Sequence, residues 1–332
     1  MRYRVTLLKG DGIGPEVTGA ACEILAAAGA PIDWEEAPAG GEAMEKFGVP
    51  MPDVTLDAIR RNRLGLKGPL MTPKGTGFRS ANVAMRQALD LFVGLRPVRS
   101  LPNVPGAWKG LDLMLFRENT EDLYAGIEHE VTPGTVVSMK TSTTAAGMRI
   151  SRWALEYMRY RGRRRIHCCH KAPVNPLADG AFLDAFRSVA REYPFIEALD
   201  LGVDSLSLML PIDPSRFDVL LLQNLYGDIL SDLCAGLAGG LGVVPGANIG
   251  AHAAVFEAVH GTAPDIAGQG KANPLAVLLS ALMLLEYVGE WKIAGRIERA
   301  VWDVLEDGTH ITGDLGGKAG TAEFTAAIVD RL

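Results

Sequence analysis

Two aspartates stand four residues apart in the segment Asp228-Ile-Leu-Ser-Asp232. On a helix, side chains at positions i and i+4 project from one face, so both carboxylates can bind a single ion. Oxygen ligands alone favour Mg²⁺ or Mn²⁺ over zinc, which prefers histidine or cysteine. The spacing predicts a metal site, and a solvated acidic helix face is the alternative that shares the pattern.

Three arginines, Arg86, Arg96 and Arg117, lie in apolar or turn-rich contexts. A guanidinium binds a carboxylate through two parallel hydrogen bonds. Arg117 follows an apolar run that is typical of a buried strand, and Tyr124 stands seven residues later. One loop can therefore present both side chains to an acidic ligand, although each arginine by itself is also compatible with an ordinary ion pair.

Two glycine-containing segments indicate close approach of the backbone to a ligand or to another segment. Gly10-Asp-Gly-Ile-Gly14 follows an apolar run, but its third glycine does not have the spacing of a dinucleotide fingerprint, so a tight strand-to-helix turn is an equal alternative. The segment from Glu257 to Asp265 has the small residues that let a backbone contact a flat or phosphorylated molecule. Beside a nucleotide, Asp265 would accept hydrogen bonds from ribose hydroxyls and repel a 2′-phosphate, which favours NAD over NADP.

These segments need a scaffold of strands and helices. Val5–Leu8, the glycine turn and a helix over 16–28 with Pro15 at its start form an α/β opening. The apolar runs at 111–116, 166–169 and 219–222 predict buried strands with helices between them. The chain is an α/β protein, and its 332 residues favour two lobes because single cores stop growing at about 250–300 residues.

Composition excludes several classes of function. The chain is 48% hydrophobic with a net charge of −6, so it has no basic field for nucleic acid or an anionic membrane. The basic run Arg159–Arg165 is interpreted as a solvated helix end. The apolar segment Pro274–Leu285 predicts a core helix, since it is too short to span a membrane.

The cysteines and the N-terminus predict a cytoplasmic protein. No signal-peptide pattern opens the sequence, and four sparse cysteines suit a reducing compartment. Cys168-Cys169-His170 lacks the spacing with which a turn wraps zinc, so a buried strand end is the preferred interpretation.

Together these segments resemble the isocitrate and isopropylmalate dehydrogenase family, from Val5 to the C-terminus. The matching stretches are Gly10-Asp-Gly-Ile-Gly-Pro15-Glu16, Leu66-Lys-Gly-Pro69, Arg117-Glu-Asn-Thr-Glu121 with Tyr124, His170-Lys171-Ala172, Asn224-Leu-Tyr-Gly-Asp228-Ile-Leu-Ser-Asp232, and His260-Gly-Thr-Ala-Pro264-Asp265.

The resemblance implies an isocitrate/isopropylmalate dehydrogenase-like α/β fold with two lobes and a cleft between them, and not a Rossmann fold. Residues 1–93 with 239–332 would form the large nucleotide-binding lobe. Residues 94–238 would form the small lobe, with the dimer interface and a clasp arm at about 128–144. The protein would be a homodimer in which each active site takes residues from both subunits.

The resemblance also implies roles for individual residues. Arg86, Arg96 and Arg117 would bind substrate carboxylates, and Tyr124 would donate a proton. Lys171 and Asp204, reaching over from the other subunit, would serve the substrate alcohol and the metal, whose shell Asp228 and Asp232 complete. The early glycine turn would not bind the cofactor. The cofactor would contact Thr72, Glu257, His260, Gly261, Thr262, Ala263, Pro264, Asp265, Ile266 and Asn273.

Ser80 and Asn82 indicate the substrate. In the family, polar residues here bind the third carboxylate of isocitrate, whereas isopropylmalate enzymes have apolar residues. Two polar groups facing an isopropyl group would each cost about 1–3 kcal/mol. The implied activity is NAD-dependent oxidative decarboxylation of isocitrate to 2-oxoglutarate and CO₂; homoisocitrate or isopropylmalate as substrate, and a regulatory subunit of a hetero-oligomer, are the alternatives.

One residue departs from the family pattern. The family often has asparagine after Lys-Ala, where it helps to hold the nicotinamide, but this chain has Pro173. Proline has neither that side chain nor a backbone N–H. The departure puts the positioning of the nicotinamide in doubt.

Overall fold

The computed structural model describes residues 2–71 and 80–332. Its strands are β1 (Tyr3–Leu8), β2 (Ile32–Glu36), β3 (Leu64–Lys67), β4 (Val93–Arg99), β5 (Asp112–Glu118), β6 (Glu128–Thr132), β7 (Thr135–Ser138), β8 (Arg165–His170), β9 (Glu197–Gly202), β10 (Val219–Leu222), β11 (Pro245–Ile249) and β12 (Ala254–Ala258). Its helices are α1 (Gly14–Ala27), α2 (Gly41–Phe47), α3 (Asp53–Asn62), α4 (Ala81–Ala88), α5 (Thr144–Arg161), α6 (Ala178–Ala190), α7 (Val203–Ile212), α8 (Asn224–Leu237), α9 (Leu275–Tyr287), α10 (Trp291–Asp307) and α11 (Thr321–Val329).

Ten of these strands form one sheet in the order β2-β1-β3-β12-β11-β4-β5-β10-β8-β9. β11 is antiparallel to both of its neighbours and β4 is antiparallel to β5, while the other adjacent strands run parallel. Parallel strands are usually covered on both faces, and every residue of β10 is buried. The predicted α/β fold is confirmed, and so are the strands predicted from the apolar runs at 111–116, 166–169 and 219–222.

Helices cover the sheet as the apolar patterns predict. The predicted first helix is α1, with Pro15 in its first turn. The segment predicted as a core helix is α9, which contacts β11, β12, α1 and α10 and is buried over most of its length. No helix in the described part of the chain has both the length and the apolar character needed to cross a membrane.

The basic run at 159–165 is the end of a helix, as predicted. α5 ends at Arg161, and Gly162 follows it at a φ of 70°, a left-handed conformation that favours glycine. Arg163 pairs with Asp218 at 2.7 Å, and Arg165 pairs with Glu197 at 2.6 Å. Carboxylates thus neutralise these cations, which argues against a nucleic-acid patch. Cys168 and Cys169 are buried in β8, confirming the interpretation as a strand end.

The sheet is continuous across the two predicted lobes. β4 pairs with β11 on one side and β5 on the other, so it joins the two halves. The division into lobes therefore stays a prediction. Within the predicted clasp arm, β6 and β7 form a hairpin that is exposed along both strands. Val131 and Val136 are 52% and 62% exposed there, so the hairpin has apolar surface that this chain leaves uncovered.

The early glycine turn, residues 10–14, contacts the loop that contains Thr262. Gly12 has a φ of 59°, and a Cβ atom on it would lie 2.1 Å from the carbonyl oxygen of Thr262. The backbone N–H of Ile13 donates to the same oxygen at 2.9 Å. Glycine is required because the turn touches the loop that follows β12. The segment is therefore a tight strand-to-helix turn that contacts the predicted cofactor loop.

We expect Gly12→Ala to destabilise the protein more than Gly29→Ala. Both glycines have positive φ, but no atom lies within 4 Å of a Cβ on Gly29. The difference should be about 1–3 kcal/mol, the cost of overpacking, and hydrogen exchange should rise around Thr262. Equal unfolding midpoints and equal exchange for the two variants would show that the contact with Thr262 does not constrain the loop.

Candidate functional site

Glu257 is the centre of a buried cluster of charged side chains. Its Oε2 lies 2.8 Å from Nζ of Lys67, at the end of the neighbouring strand β3. Its Oε1 lies 3.1 Å from Arg86 of α4 and 3.3 Å from Arg96 of β4. Asn248 of β11 donates to the same oxygen at 2.6 Å. All these side chains are almost completely buried, so the adjacent strands create a charged site inside the protein.

The cluster contains more positive than negative charge. Three cations contact the single carboxylate of Glu257, and the more distant charge of Asp228 also acts on Arg96. Burial opposes ionisation of Glu257, but Lys67, Arg86 and Arg96 hold its pKa well below the usual range. Burial lowers the pKa of Arg96 to about 10, so this guanidinium stays charged at neutral pH. A buried excess of positive charge is stable only with an anion nearby, so the site suits an acidic ligand.

Two buried polar atoms beside the cluster have no hydrogen-bond partner. They are Oδ1 of Asn82 and Nε of Arg86. These residues are four positions apart on α4 and therefore lie on one face of the helix. Buried polar atoms are nearly always satisfied, so these two atoms could bind a polar ligand. Ser80, the third predicted substrate residue of this segment, directly precedes α4.

Arg117 organises the second part of the site. It is buried at the end of β5, where Nε and Nη2 donate to Oδ1 of Asn224 at 2.9 and 2.7 Å. Its Nη1 donates to Asp228, and the Tyr124 hydroxyl donates to the other oxygen of Asp228 at 2.5 Å. A Cβ on Gly227 would lie 2.6 Å from Cγ of Arg117, so this contact requires glycine. The structure thus brings the predicted arginine, tyrosine and aspartate together.

The surroundings shift the pKa values of the two candidate metal ligands, Asp228 and Asp232, in opposite directions. Burial raises the pKa of Asp228, but Arg117 and the Tyr124 hydroxyl lower it overall. Burial and the neighbouring Asp228 raise the pKa of Asp232 above its usual value. Two carboxylates on successive turns of α8 therefore repel each other, and a divalent cation between them would relieve that repulsion. The oxygen-only donor set fits Mg²⁺ or Mn²⁺.

Lys171 and Asp204 form a separate pair. Nζ of Lys171 lies 2.7 Å from Oδ1 of Asp204, and this contact lowers the pKa of that carboxyl. The backbone N–H of Lys171 also donates to Asp179 at 2.6 Å. Residues 2–71 and 80–332 hold no group of three His, Cys, Asp or Glu side chains that could bind a metal within one chain. The predicted metal set of Asp204, Asp228 and Asp232 is therefore not assembled by a single chain.

The predicted cofactor loop follows β12. Nδ1 of His260 lies 3.0 Å from the carbonyl oxygen of Gly261, while its buried Nε2 has no partner. Ala263 has a φ of 37°, and Pro264, Asp265 and Ile266 continue the turn toward solvent. Asn273 donates to Asp314 at 2.9 Å at the far end of the loop. An unpaired ring nitrogen beside exposed backbone fits a nucleotide, and Thr72 lies outside the described residues.

The sequence motifs predict no role for several residues that hold the site together, and they predict only a cofactor contact for Glu257. Lys67, Asn224 and Asn248 are buried and bind predicted site residues directly. Lys67 had a usable signal, because a lysine at the end of an apolar strand needs a buried anion. Asn248 had no such signal in the sequence, because its contact with Glu257 depends on the pairing of β11 with β12. The cofactor contact of Glu257 stays a prediction beside its observed bonds to three cations.

Comparison with known proteins identifies the family. The model of the isocitrate/isopropylmalate dehydrogenase family matches residues 4–328. This chain belongs to that family. A crystal structure of isocitrate dehydrogenase from Methylococcus capsulatus superimposes with a TM-score of 0.96 at 48% identity, covering 100% of this chain and 99% of the other. The resemblance and the predicted family fold are confirmed.

Two relatives in the family carry different cofactors in their names. A Drosophila melanogaster protein named probable mitochondrial isocitrate dehydrogenase (NAD) subunit alpha is 45% identical over 332 residues, 99% of this chain and 87% of that protein. A Thermus thermophilus protein named isocitrate dehydrogenase (NADP) is also 45% identical, covering 100% of this chain and 68% of that protein. Overall similarity to these relatives leaves the cofactor open.

Glu257→Gln should lower the free energy of unfolding by about 3–5 kcal/mol, because it leaves buried cations without their carboxylate. The matched control is Glu298→Gln, which removes the half-exposed partner of Arg99 and should cost about 0–1 kcal/mol. Urea denaturation of both variants checks the difference. Similar losses would show that the buried cluster is balanced without Glu257.

The effect of Glu257→Gln should depend on pH. The pKa of Glu257 is lower in the folded protein than its unfolded value of about 4.3. Its stabilisation is therefore fully present above a pH of about 4.3 and lost as the pH falls through the folded value. The stability difference between the two proteins should be constant near neutral pH and shrink only in acid.

Proposed function

We propose that this protein catalyses the NAD-dependent oxidative decarboxylation of isocitrate to 2-oxoglutarate and CO₂, assisted by Mg²⁺ or Mn²⁺. The observation that carries the proposal is the buried excess of positive charge around Arg86 and Arg96, with Arg117 nearby. Isocitrate has three carboxylates, and paired guanidinium hydrogen bonds are the geometry that carboxylates need. The names of the similar proteins support the same substrate.

The choice of isocitrate within the family depends on Ser80 and Asn82. The buried amide of Asn82 has an oxygen without a partner, and an isopropyl group could not satisfy it. A γ-carboxylate accepts hydrogen bonds, so it would bind the N–H₂ group of this amide, and the unpartnered oxygen would need a donor such as a water molecule. Homoisocitrate has the same carboxylate on a longer chain and is the second candidate.

Two proton transfers are assigned to residues of this chain. Burial and the hydrogen bond to Asp228 raise the pKa of Tyr124, so its hydroxyl keeps a proton that it can give to C3 after CO₂ leaves. The Lys171–Asp204 pair would relay the proton of the 2-hydroxyl as C2 is oxidised. Arg86, Arg96 and Arg117 hold the substrate carboxylates during both steps.

Asp228 and Asp232, with Asp204 from a second chain, would hold the divalent cation. Two carboxylates whose charges repel fit this group. When bound, the cation supplies positive charge beside the substrate oxygen, and NAD accepts the hydride. The His260–Ile266 loop and Asn273 would hold the nucleotide. Asp265 is exposed on that loop, where it would favour the ribose hydroxyls of NAD over a 2′-phosphate.

A homodimer would complete the active site. The β6–β7 hairpin and α7 expose apolar side chains, and Leu208 and Ile212 of α7 are each 65% exposed. Surfaces of this kind are covered in obligate dimers. The Drosophila relative is named as a subunit alpha, which supports a hetero-oligomer. A regulatory subunit of such a hetero-oligomer is the alternative function of this chain. The cytoplasmic location stays a prediction, since that relative is named as mitochondrial.

Steady-state rates with each candidate substrate and cofactor test the proposal. The purified chain with Mg²⁺ or Mn²⁺ should show its highest kcat/KM with isocitrate and NAD, and homoisocitrate, isopropylmalate, malate and tartrate should be slower. Replacing Asp265 by Lys and Ile266 by Tyr should erode the preference for NAD. Equal kcat/KM values with NAD and NADP would contradict the proposed preference for NAD. A higher kcat/KM with any of the other four acids would contradict isocitrate as the substrate. Absence of activity in the purified chain alone would favour a regulatory subunit.

Complementation tests the sharing of active sites. Lys171→Met and Asp228→Asn should each be inactive as homodimers, one lacking proton transfer and the other a metal ligand. A mixed dimer contains one site with both defects and one site with Lys171 and Asp228 intact. Random exchange makes half of the dimers mixed, so activity should recover to roughly a quarter of normal. No recovery in mixed dimers verified by tagged purification would place each site within one chain.

A further inference from the structure

A cavity of about 570 Å³ lies on the face of the sheet opposite the arginine cluster. Successive residues of a strand point to opposite faces. On β4, Arg96 reaches Glu257, whereas Leu95 and Pro97 line the cavity. On β12, Glu257 faces the cluster and Phe256 lines the cavity. The sheet therefore separates this cavity from the proposed active site.

Aromatic side chains from three helices form the other walls. Trp153 and Tyr157 of α5 stack with ring centroids 5.3 Å apart. Tyr160, at the end of α5, lies 6.2 Å from Trp291 at the start of α10. Tyr287 at the end of α9 contacts Phe256 at 5.7 Å. Flat apolar surfaces thus face the cavity from α5, α9 and α10.

The charged groups that line the cavity neutralise one another in pairs. Arg161 lies 2.9 Å from Glu286, and its guanidinium lies over the Trp291 ring at 5.1 Å. Arg99 lies 2.9 Å from Glu298. Arg163 pairs with the lining residue Asp112 at 2.5 Å and with Asp218. A charged ligand would have to break one of these pairs, whereas an uncharged ligand leaves them intact.

We propose that this cavity is a second ligand site, which binds an uncharged, planar aromatic molecule. Its volume falls in the range of about 300–1,000 Å³ that is typical of small-molecule sites. The aromatic walls offer stacking and edge contacts to a flat ring, and Arg161 lies over Tyr157 and Trp291, where a ligand ring can join the stack. No predicted substrate, cofactor or metal residue lines it, so the proposal is independent of the dehydrogenase activity.

The neutral naphthalene dye 6-propionyl-2-(dimethylamino)naphthalene is a suitable probe for the full-length chain. It is flat and uncharged, and its emission shifts to the blue and intensifies in an apolar site. We expect saturable binding of one dye per chain, with energy transfer from Trp153 and Trp291. The anionic dye 1-anilinonaphthalene-8-sulfonate should bind the cavity more weakly. Tighter, competitive binding of the anionic dye would overturn the uncharged class, and non-saturable binding would overturn the site.

Two surface tryptophans of equal exposure provide matched variants. Trp291 is 38% exposed and lines the cavity, whereas Trp108 is 39% exposed and lies outside it. Trp291→Ala should weaken binding of the neutral dye at least about fivefold, the effect of losing one aromatic partner, while Trp108→Ala should leave it unchanged. Equal affinities of the two variants would overturn the proposal.

A cavity-filling variant provides a second test if Trp291→Ala does not fold. Met283 lines the cavity from α9 and is only partly buried. Met283→Trp should fill the space and abolish dye binding, while circular dichroism and the melting temperature report that the fold is retained. Unchanged dye binding in a folded Met283→Trp protein would place the dye elsewhere and overturn the proposal.

Discussion

The carboxylate of Glu257 is the interaction on which the rest of the site depends. Lys67, Arg86 and Arg96 come from a strand, a helix and another strand, and each would repel the others without a shared anion. The sheet order places β12 beside β3 and close to β4, so one carboxylate reaches Lys67 and Arg96, and Arg86 reaches the same carboxylate from α4. Glu257 thus holds the three cations together, and because one anion does not balance three cations, the cluster fits an acidic ligand.

In the second half of the site, a single buried cation is shared by several neighbouring side chains. Arg117 is a single buried cation, and it contacts Asn224, Asp228 and the ring of Tyr124. Its charge keeps Asp228 ionised, and Asp228 in turn keeps the proton on Tyr124. One end of the site is therefore rich in positive charge, and the other has carboxylates for a cation. This division of charge matches an acidic substrate that is bound beside a divalent metal.

The scaffold and the site differ in how far the sequence predicts them. Apolar runs predict β5, β8, β10 and α9 because a buried strand or helix needs apolar residues that are close together in the sequence. The spacing of Asp228 and Asp232 predicts their common helix face for the same reason. The cofactor contact of Glu257 was predicted from the small residues that follow it, whereas the three cations that the structure shows around it come from residues far away in the chain.

By itself, the sequence determined the α/β class, the family, and the short motifs in which reactive side chains stand a few residues apart. Only the tertiary structure decided that Lys67 meets Glu257, that the early glycine turn touches Thr262, and that a cavity opens behind the arginines. The physical reason is the order of strands in the sheet. Periodicity specifies which face of a strand is buried, but the neighbour that each side chain meets depends on which strands pair, and those strands are distant in sequence.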